Sequence, residues 1–252
     1  DLSRIDSGGE VFGAVLLAFD VTEQAEAERM RREFTANVSH ELKTPLQSII
    51  GSVELLENDL VQPEDRPRFL GRIHQEAQRL VSLINDILGL SQLDEGAAMP
   101  RESVSLLSLA QEAAASLSAA AQAQNVTLTV NGTAGTLTGV RRLLSETVRN
   151  LCENAVKYNI PGGSVTVTVA ETPQAVTLTV ADTGIGIPPA DQSRVFERFY
   201  RVDKSHSRAI GGTGLGLSIV KHAVAYHHGT VQLDSTPGQG TVITVTLPRD
   251  AA

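Results

Sequence analysis

From Phe34 to Leu60 the apolar residues recur at steps of three and four: Phe34, Val38, Leu42, Leu46, Ile49, Val53, Leu56 and Leu60. That period marks one face of an α-helix. A second such stripe (Phe69, Ile73, Ala77, Leu80, Ile84, Ile87 and Leu90) follows the turn-forming segment VQPEDRP at 61–67. Two amphipathic helices joined by a short turn form an antiparallel hairpin, and its double stripe is more apolar surface than one hairpin can cover. Pairing with a second copy completes a four-helix bundle, so a homodimer is expected. Pro45 lies inside the first helix and should kink it or break its hydrogen-bond ladder locally. The hairpin domain reads as 23–93, entered through the charged stretch EQAEAERMRREF. Glu28 and Arg32 stand there at i,i+4, the better orientation for a helical ion pair.

Beyond the hairpin the period changes. Residues 94–103, DEGAAMPRES, read as a linker, and 104–250 as a second domain. A helix over 104–123, a strand over 126–130 and a helix over 140–158 come first. The alternating segments SVTVTVA and AVTLTVA then flank Glu171-Thr172-Pro173-Gln174 as a β-hairpin. A glycine-rich region, a helix over 214–228 and the strands TVQLD and TVITVTL close the chain. Strand pairs with intervening helices suggest an α/β sandwich with its helices on one sheet face. Residues 10–21, EVFGAVLLAFDV, read as a strand, which sets 1–22 apart as an N-terminal piece.

The 252 residues suffice for two modest domains. A net charge of -8 argues against a broad nucleic-acid-binding surface, which needs clustered Lys and Arg. With Cys152 the only cysteine, no disulfide forms within the chain, and a reducing compartment fits. No apolar run is long enough to span a bilayer and no secretory signal is present. The chain starts at Asp1 without Met, so it reads as a cytoplasmic fragment without membrane contact of its own, compatible with a membrane-anchored parent.

His40 stands two residues from both Val38 and Leu42, which turns it away from the stripe and into solvent. A neutral imidazole there has a ring nitrogen able to attack phosphorus, and Glu41 can orient the ring or take its proton. Taken alone it is an ordinary solvated histidine. Asn150, Asn154 and Lys157, at i, i+4 and i+7, share one helix face opposite Leu144, Val148, Leu151 and Ala155. An amide oxygen is a hard ligand suited to Mg²⁺, and an ammonium meets phosphate as a point charge, with Tyr158 beside it. The segment Asp182-Thr183-Gly184-Ile185-Gly186 follows a strand; its carboxylate can accept from the adenine amino group, and its glycines let the backbone approach a ring. The run Gly211-Gly212-Thr213-Gly214-Leu215-Gly216-Leu217 opens a helix whose N–H groups attract phosphate. It matches neither a Walker loop nor a dinucleotide-binding βαβ unit. Between the two loops, Phe196 and Phe199 can clamp a lid, while Arg198, Arg201 and Lys204 supply positive charge.

The segment FTANVSHELKTPL resembles the phosphoacceptor motif of sensor histidine kinases. NLCENAVKY, DTGIGIP, FYRVD and GTGLGL resemble, in order, the asparagine, first glycine, phenylalanine and second glycine motifs of the ATP-binding domain shared by histidine kinases, gyrase, Hsp90 and MutL. The resemblance covers residues 23–248 and is similar to the PhoR/WalK-like group of two-component sensor kinases. Residues 10–22 resemble the last strand of a PAS sensor domain. The resemblance implies a dimeric four-helix bundle followed by a gyrase/Hsp90-type α/β sandwich, with ATP and Mg²⁺ as cofactors and a response-regulator receiver domain as partner. It implies that His40 carries the phosphoryl group, that Glu41 assists, and that Thr44 helps to dephosphorylate the regulator. It assigns Mg²⁺ to Asn154, adenine to Asp182 and phosphates to Arg201. Asn150, Lys157, Tyr158, Gly184, Ile185, Gly186, Gly212, Thr213, Gly214, Leu215, Gly216 and Leu217 complete the nucleotide set.

The chain departs from the pattern at His228, where Gly is usual, and at Val140, where an acidic residue is common. ATP-hydrolysing relatives carry a Glu base where Asn150 stands; Glu146, one turn earlier, can be mistaken for it. Two alternatives stay open on the residues: an ATP hydrolase of the gyrase or Hsp90 type, and an inactive dimeric ATP-binding scaffold.

Overall fold

The computed structural model describes residues 2–7, 10–16, 19–94, 99–202 and 212–249. The chain divides into two compact units, Asp1–Lys43 and Thr44–Ala252, each described by itself. In the first, β1 (Leu2–Ser7) pairs antiparallel with β2 (Glu10–Leu16), Leu2 opposite Leu16, with an irregularity between Ile5 and Asp6. The sequence reading anticipates β2 over a longer span, 10–21, of which residues 19–21 are not strand, and it does not anticipate β1. The Asp20 carboxylate accepts from the Thr22 N–H at 2.9 Å, a cap for the N–H groups that open helix α1 (Thr22–Glu57). Arg32 and Glu28 pair at 3.0 Å as their spacing predicts. Both ends are exposed, so the pair contributes about 0.3–0.5 kcal/mol.

Helix α1 continues through Pro45, whose ring is buried. The expected break is therefore limited to one missing rung of the ladder, and burial of the ring offsets it. A turn carrying the Arg66–Asp59 ion pair (2.6 Å) leads into α2 (Arg66–Asp94). Pro67 lies in the first turn of α2, where its missing N–H loses nothing. Leu46, Ile50, Leu55, Leu70, Val81, Ile84 and Leu88 remain exposed on this hairpin, whereas Leu83 and Leu90 are buried. Part of α2 is thus covered by the rest of the unit, and a long apolar stripe is not.

The α/β part starts with β3 (Glu102–Ser105), paired antiparallel with β5 (Thr136–Gly139). Neither strand is anticipated from the sequence. Residues 102 and 103 extend β3 into the expected linker, and Val104 is a strand residue where a helix start is expected. Ser105 then accepts from the Ser108 N–H and opens α3 (Leu106–Ala123). The remaining elements are β4 (Thr127–Gly132), α4 (Arg141–Lys157), β6 (Ser164–Glu171), β7 (Ala175–Asp182), α5 (Pro189–Gln192), α6 (Gly216–Tyr226), β8 (Thr230–Thr236) and β9 (Gly240–Pro248). The main sheet runs β4-β6-β7-β9-β8, parallel only between β4 and β6. Strict alternation explains its faces: Val165, Val167, Val169, Val176, Leu178, Val180, Ile243, Val245 and Leu247 point inward, and the threonines between them point out. Leu109, Leu144, Val148, Leu151, Val220 and Val224 of α3, α4 and α6 fill the same core. Each fully buried side chain of this kind contributes about 1.5–3 kcal/mol. Cys152 is enclosed there too, and burial pushes its thiol up to about 12.

Two adjacent histidines finish α6. His228 takes φ +56, and the Gly229 N–H reaches back to the Val224 carbonyl at 2.9 Å, closing the helix with a left-handed turn. That is a glycine's place, and a side chain there costs about 1–2 kcal/mol. His227 is buried: its Nε2 accepts from the Val140 N–H at 2.9 Å, and its Nδ1 faces the Ala223 carbonyl at 2.7 Å. The proton therefore sits on Nδ1 and the ring is neutral. Val140 has no side-chain cap of its own, so the imidazole serves the start of α4. Gly139 admits the ring, since a Cβ there would fall 2.9 Å from Nε2.

Burial holds the His227 pKa below its ordinary value, with Arg101 and His228 adding to the effect. The unfolded chain then binds the extra proton more readily, so this contribution is full above about pH 6.5 and lost as pH falls below it. His227→Leu should destabilise the fold by about 1–3 kcal/mol, because it strands the Val140 N–H. His227→Gln keeps an acceptor that does not titrate, so it should cost less and flatten this acid-side loss relative to the parent. Urea denaturation of the three proteins between pH 5.5 and 7.5 measures both effects.

Candidate functional site

Helices α4 and α6 run beside each other from opposite ends. The close of α6 meets the start of α4 at His227, and its first residue, Gly216, lies so near Asn150 that a Cβ would stand 3.2 Å from Oδ1. Beyond that contact opens a cavity of about 430 Å³ between α4, the loop after β7 and the loop before α6. Asn150, Asn154, Lys157, Tyr158, Asp182, Ile185, Gly186, Arg201, Gly212, Thr213, Gly214, Gly216 and Leu217 all line it. Gly184 and Leu215 are buried behind this wall. Lys204 and Gly211 lie outside the described residues.

At one end Asp182 Oδ1 accepts from the Gly184 N–H at 2.8 Å and the Thr241 N–H at 3.2 Å. Among the described residues Oδ2 accepts no hydrogen bond, so an acceptor is left for a ligand. Burial raises the Asp182 pKa, and the two N–H groups partly offset this. The glycine loop here is tightly fitted. A Cβ on Gly184 would lie 2.3 Å from the Tyr158 carbonyl oxygen, and one on Gly186 (φ +68) 2.2 Å from that of Thr236. Ile185 bridges both neighbours, its N–H donating to the Tyr158 carbonyl and its carbonyl accepting from the Gly238 N–H. Gln192 Nε2 donates to the Ile187 and Ser235 carbonyls and pins the far side of the loop.

The other end is cationic. Lys157 Nζ lies 5.7 Å from the centre of the Tyr158 ring, and a Cβ on Gly212 would come within 3.2 Å of it. Burial lowers the Lys157 pKa, Arg201 and Arg79 lower it further, and Glu153 acts against them. Gathered cations in a half-buried place favour an arriving anion. Asn150 is nearly buried, and its Nδ2 has no partner among the described residues. Asn154, one turn on, is half-exposed in the wall.

Several residues differ from their expected roles. Arg198 does not line the cavity; its guanidinium meets His222 Nε2 at 3.0 Å, while His222 Nδ1 faces the Ser218 carbonyl. It fastens the phenylalanine segment to α6. The Phe199 N–H donates to the Gly214 carbonyl at 2.9 Å, at φ +62, joining the same segment to the second glycine loop. Glu146 is not among the residues lining the cavity; its carboxylate lies beside Gly89 of α2 and acts on Asp86. The sequence reading misses Ser82 and Asp86 of α2, which join the wall, and Arg79, which adds charge near Lys157. Their spacing of three and four along α2 marks a shared face, but nothing local says what that face meets.

In the N-terminal unit His40 projects into solvent, its side chain 65% exposed, with Nδ1 3.8 Å from Glu41 Oε1. Glu41 is more sheltered and stands where it can orient the ring. Thr44 is exposed on the same helix, four residues further on.

Residues 139–251 match a family profile described as histidine kinase-, DNA gyrase B- and HSP90-like ATPase, and residues 30–96 one described as His Kinase A (phospho-acceptor) domain. The chain is 39% identical over 241 residues to the sensor-like histidine kinase SenX3 of Mycolicibacterium smegmatis, covering 93% of the chain and 62% of that protein. It is 38% identical over 254 residues to the sensor histidine kinase WalK of Bacillus subtilis, covering 95% of the chain and 40% of that protein. The chain thus spans less than two-thirds of the length of either relative. Among solved structures, the mycobacterial sensor histidine kinase MprB aligns at a TM-score of 0.53 and 30% identity, over 61% of this chain and all (100%) of its own. The histidine kinase ThkA in complex with the response regulator protein TrrA aligns at 0.68 and 22% identity, over 99% of this chain and 74% of that one, a likeness of fold.

Two glycines, Gly186 in the cavity wall and Gly238 in the turn bonded to Ile185, test how tightly the first glycine loop is fitted. Gly238 (φ +76) has open space where a Cβ would go. Gly238→Ala should therefore cost only the left-handed conformation, about 1–2 kcal/mol. Gly186→Ala adds a clash with the Thr236 carbonyl and should cost roughly 1–3 kcal/mol more. Equilibrium urea denaturation of both variants reads the difference.

Proposed function

Because the chain belongs to the sensor histidine kinases, we propose that it binds Mg-ATP, phosphorylates His40, and passes the phosphoryl group to an aspartate of a response-regulator receiver domain. One observation carries the reading: a single cavity offers an open carboxylate oxygen at Asp182 and a cationic end at Lys157 and Arg201. That polarity matches a nucleotide, with Asp182 accepting from the adenine amino group and the cationic end meeting phosphates. Mg²⁺ needs oxygen ligands and keeps several waters. The Asn154 amide oxygen together with phosphate oxygens supplies such a set, and it needs no cluster of acidic side chains.

The residues divide the chemistry among them. A ring nitrogen of His40 forms the P–N bond as the bond between the β,γ-bridging oxygen and the γ-phosphorus breaks and ADP leaves. Glu41 steadies the ring and accepts its proton. Lys157 and Arg201 balance developing charge, the main task in phosphoryl transfer. Asn150, an amide, cannot deprotonate water, and Glu146 does not line the cavity, which favours transfer over hydrolysis.

The exposed apolar stripe of the hairpin, Leu46 and Ile50 on α1 with Val81, Ile84 and Leu88 on α2, fits burial against a second copy, so the working unit is a homodimer. Thr44 is placed on this reading to help a water attack the regulator's phosphoaspartate. Residues 1–22 fit the end of a PAS-like sensor domain, 23–93 the dimerisation and phosphoacceptor domain, and 104–250 the catalytic domain, in the cytoplasm of the cell. No helix among the described residues is long and apolar enough to cross a membrane.

Incubation with radiolabelled Mg-ATP tests the proposal. The parent chain should form acid-labile, base-stable phosphohistidine, and His40→Gln should form none while still binding ATP. Asn154→Ala and Asp182→Ala should each lose labelling at least tenfold with the dimer intact by light scattering. Acid-stable label, or labelling of His40→Gln, would refute it.

Thr44→Ala should leave labelling of His40 within about twofold and slow dephosphorylation of the regulator by roughly 10-fold or more, within the range of catalytic contributions from one positioned group. Release of phosphate from purified phosphorylated regulator measures this, and equal rates would remove Thr44 from the reaction.

A further inference from the structure

The hairpin contributes a carboxylate to the cavity. Asp86 of α2 is only 6% exposed and lines the wall beside Ser82. Its Oδ2 accepts from Thr213 Oγ1 at 3.0 Å, and the same hydroxyl accepts from the Leu215 N–H at 3.3 Å, at the mouth of α6. The carboxylate thus holds the glycine loop, whose Gly212, Thr213 and Gly214 line the same cavity as Lys157 and Arg201. From α4 it is faced by Glu146, Arg149 and Glu153, and Arg149 also lies 3.6 Å from Glu153. Among the described residues, the glycine loop offers it a hydroxyl and no charge. Burial, the largest influence, pushes its pKa up to about 6; the Thr213 bond and Arg149 act against this, and Glu146 and Glu153 add to it.

A buried carboxylate and a polyphosphate repel each other in a half-enclosed site, where water screens weakly. We propose that Asp86 is a specificity-determining residue of the nucleotide site, a charge filter carried by the hairpin that weakens nucleotide binding in proportion to phosphate charge while it holds Thr213. This rests on the reading of the cavity as a nucleotide site. Asn at this position keeps the shape and an oxygen for Thr213 but removes the charge. The filter then predicts graded effects: none on adenosine, some on ADP, most on ATP. It also predicts that protonating Asp86 mimics the substitution.

Calorimetric titration of the full chain and of Asp86→Asn with adenosine, ADP and ATP in Mg²⁺ buffer tests this, with thermal melting to check folding. At pH 7.5 Asp86→Asn should bind ATP roughly three- to tenfold more tightly, ADP with a smaller gain, and adenosine unchanged. At pH 5.0, below the pKa of Asp86, the two proteins should converge. Equal ATP affinities at pH 7.5 overturn the filter, as does an equal gain for all three ligands, which reports a reshaped cavity. Nucleotide binding by the parent with no discrimination sinks the filter alone. Absence of all binding by the parent sinks the nucleotide reading with it.

Discussion

The close approach of α4 and α6 is the constraint on which the rest of the site depends. Both helices are anchored in one aliphatic core by Val148, Leu151, Val220 and Val224, and they are set in register at two points. At one end an imidazole, His227, takes the Val140 N–H; at the other, bare backbone at Gly216 lies against the Asn150 amide. One helix carries the amides and the lysine, and the other begins where the second glycine loop ends. Slipping either by a turn would shift those groups about 5.4 Å relative to each other and dissolve the cavity. Packing density, rather than any single polar bond, therefore sets the geometry in which the chemistry happens.

Much of this is legible in the sequence, and the reason is periodicity. SVTVTVA and AVTLTVA announce β6 and β7 because alternation on a half-covered sheet is a strong local signal. The helix from Arg141 to Lys157 is equally readable, since its apolar stripe and its amide face lie on opposite sides of one period. The short strands β3 and β5 are missed because four residues rich in Ser and Thr carry no alternation to detect. The parts of the cavity that stay hidden are of another kind. Asp86 and Ser82 sit on the hairpin, far in sequence from every loop they meet, and their place is decided by docking of one element on another. Arg198 errs in the opposite direction: it reads as a free cation for phosphate, and a partner 24 residues away claims it.

The hairpin has two faces with different obligations. Leu83, Asp86, Gly89 and Leu90 are buried within the unit, and Leu46, Ile50, Ile84 and Leu88 are not. A single period cannot distinguish a stripe that will meet its own chain from one that awaits a second, so the sequence reading merges them. The distinction matters because an element shared between two interfaces couples them: whatever loosens α2 from the glycine loop leaves its other face free to respond.

Cys152 gives the fold a practical property. It is the only cysteine of the chain, it is enclosed by aliphatic side chains, and its thiol is held at about 12, so almost none of it is thiolate at neutral pH. Toward maleimides and other thiol reagents the native protein behaves as if it had no cysteine. A single cysteine introduced on the hairpin or beside the cavity would therefore take a spin label or fluorophore alone, without first removing Cys152 and leaving a void in the core. With one such cysteine on each docked surface, the distance between them can be followed in solution in the otherwise unaltered chain.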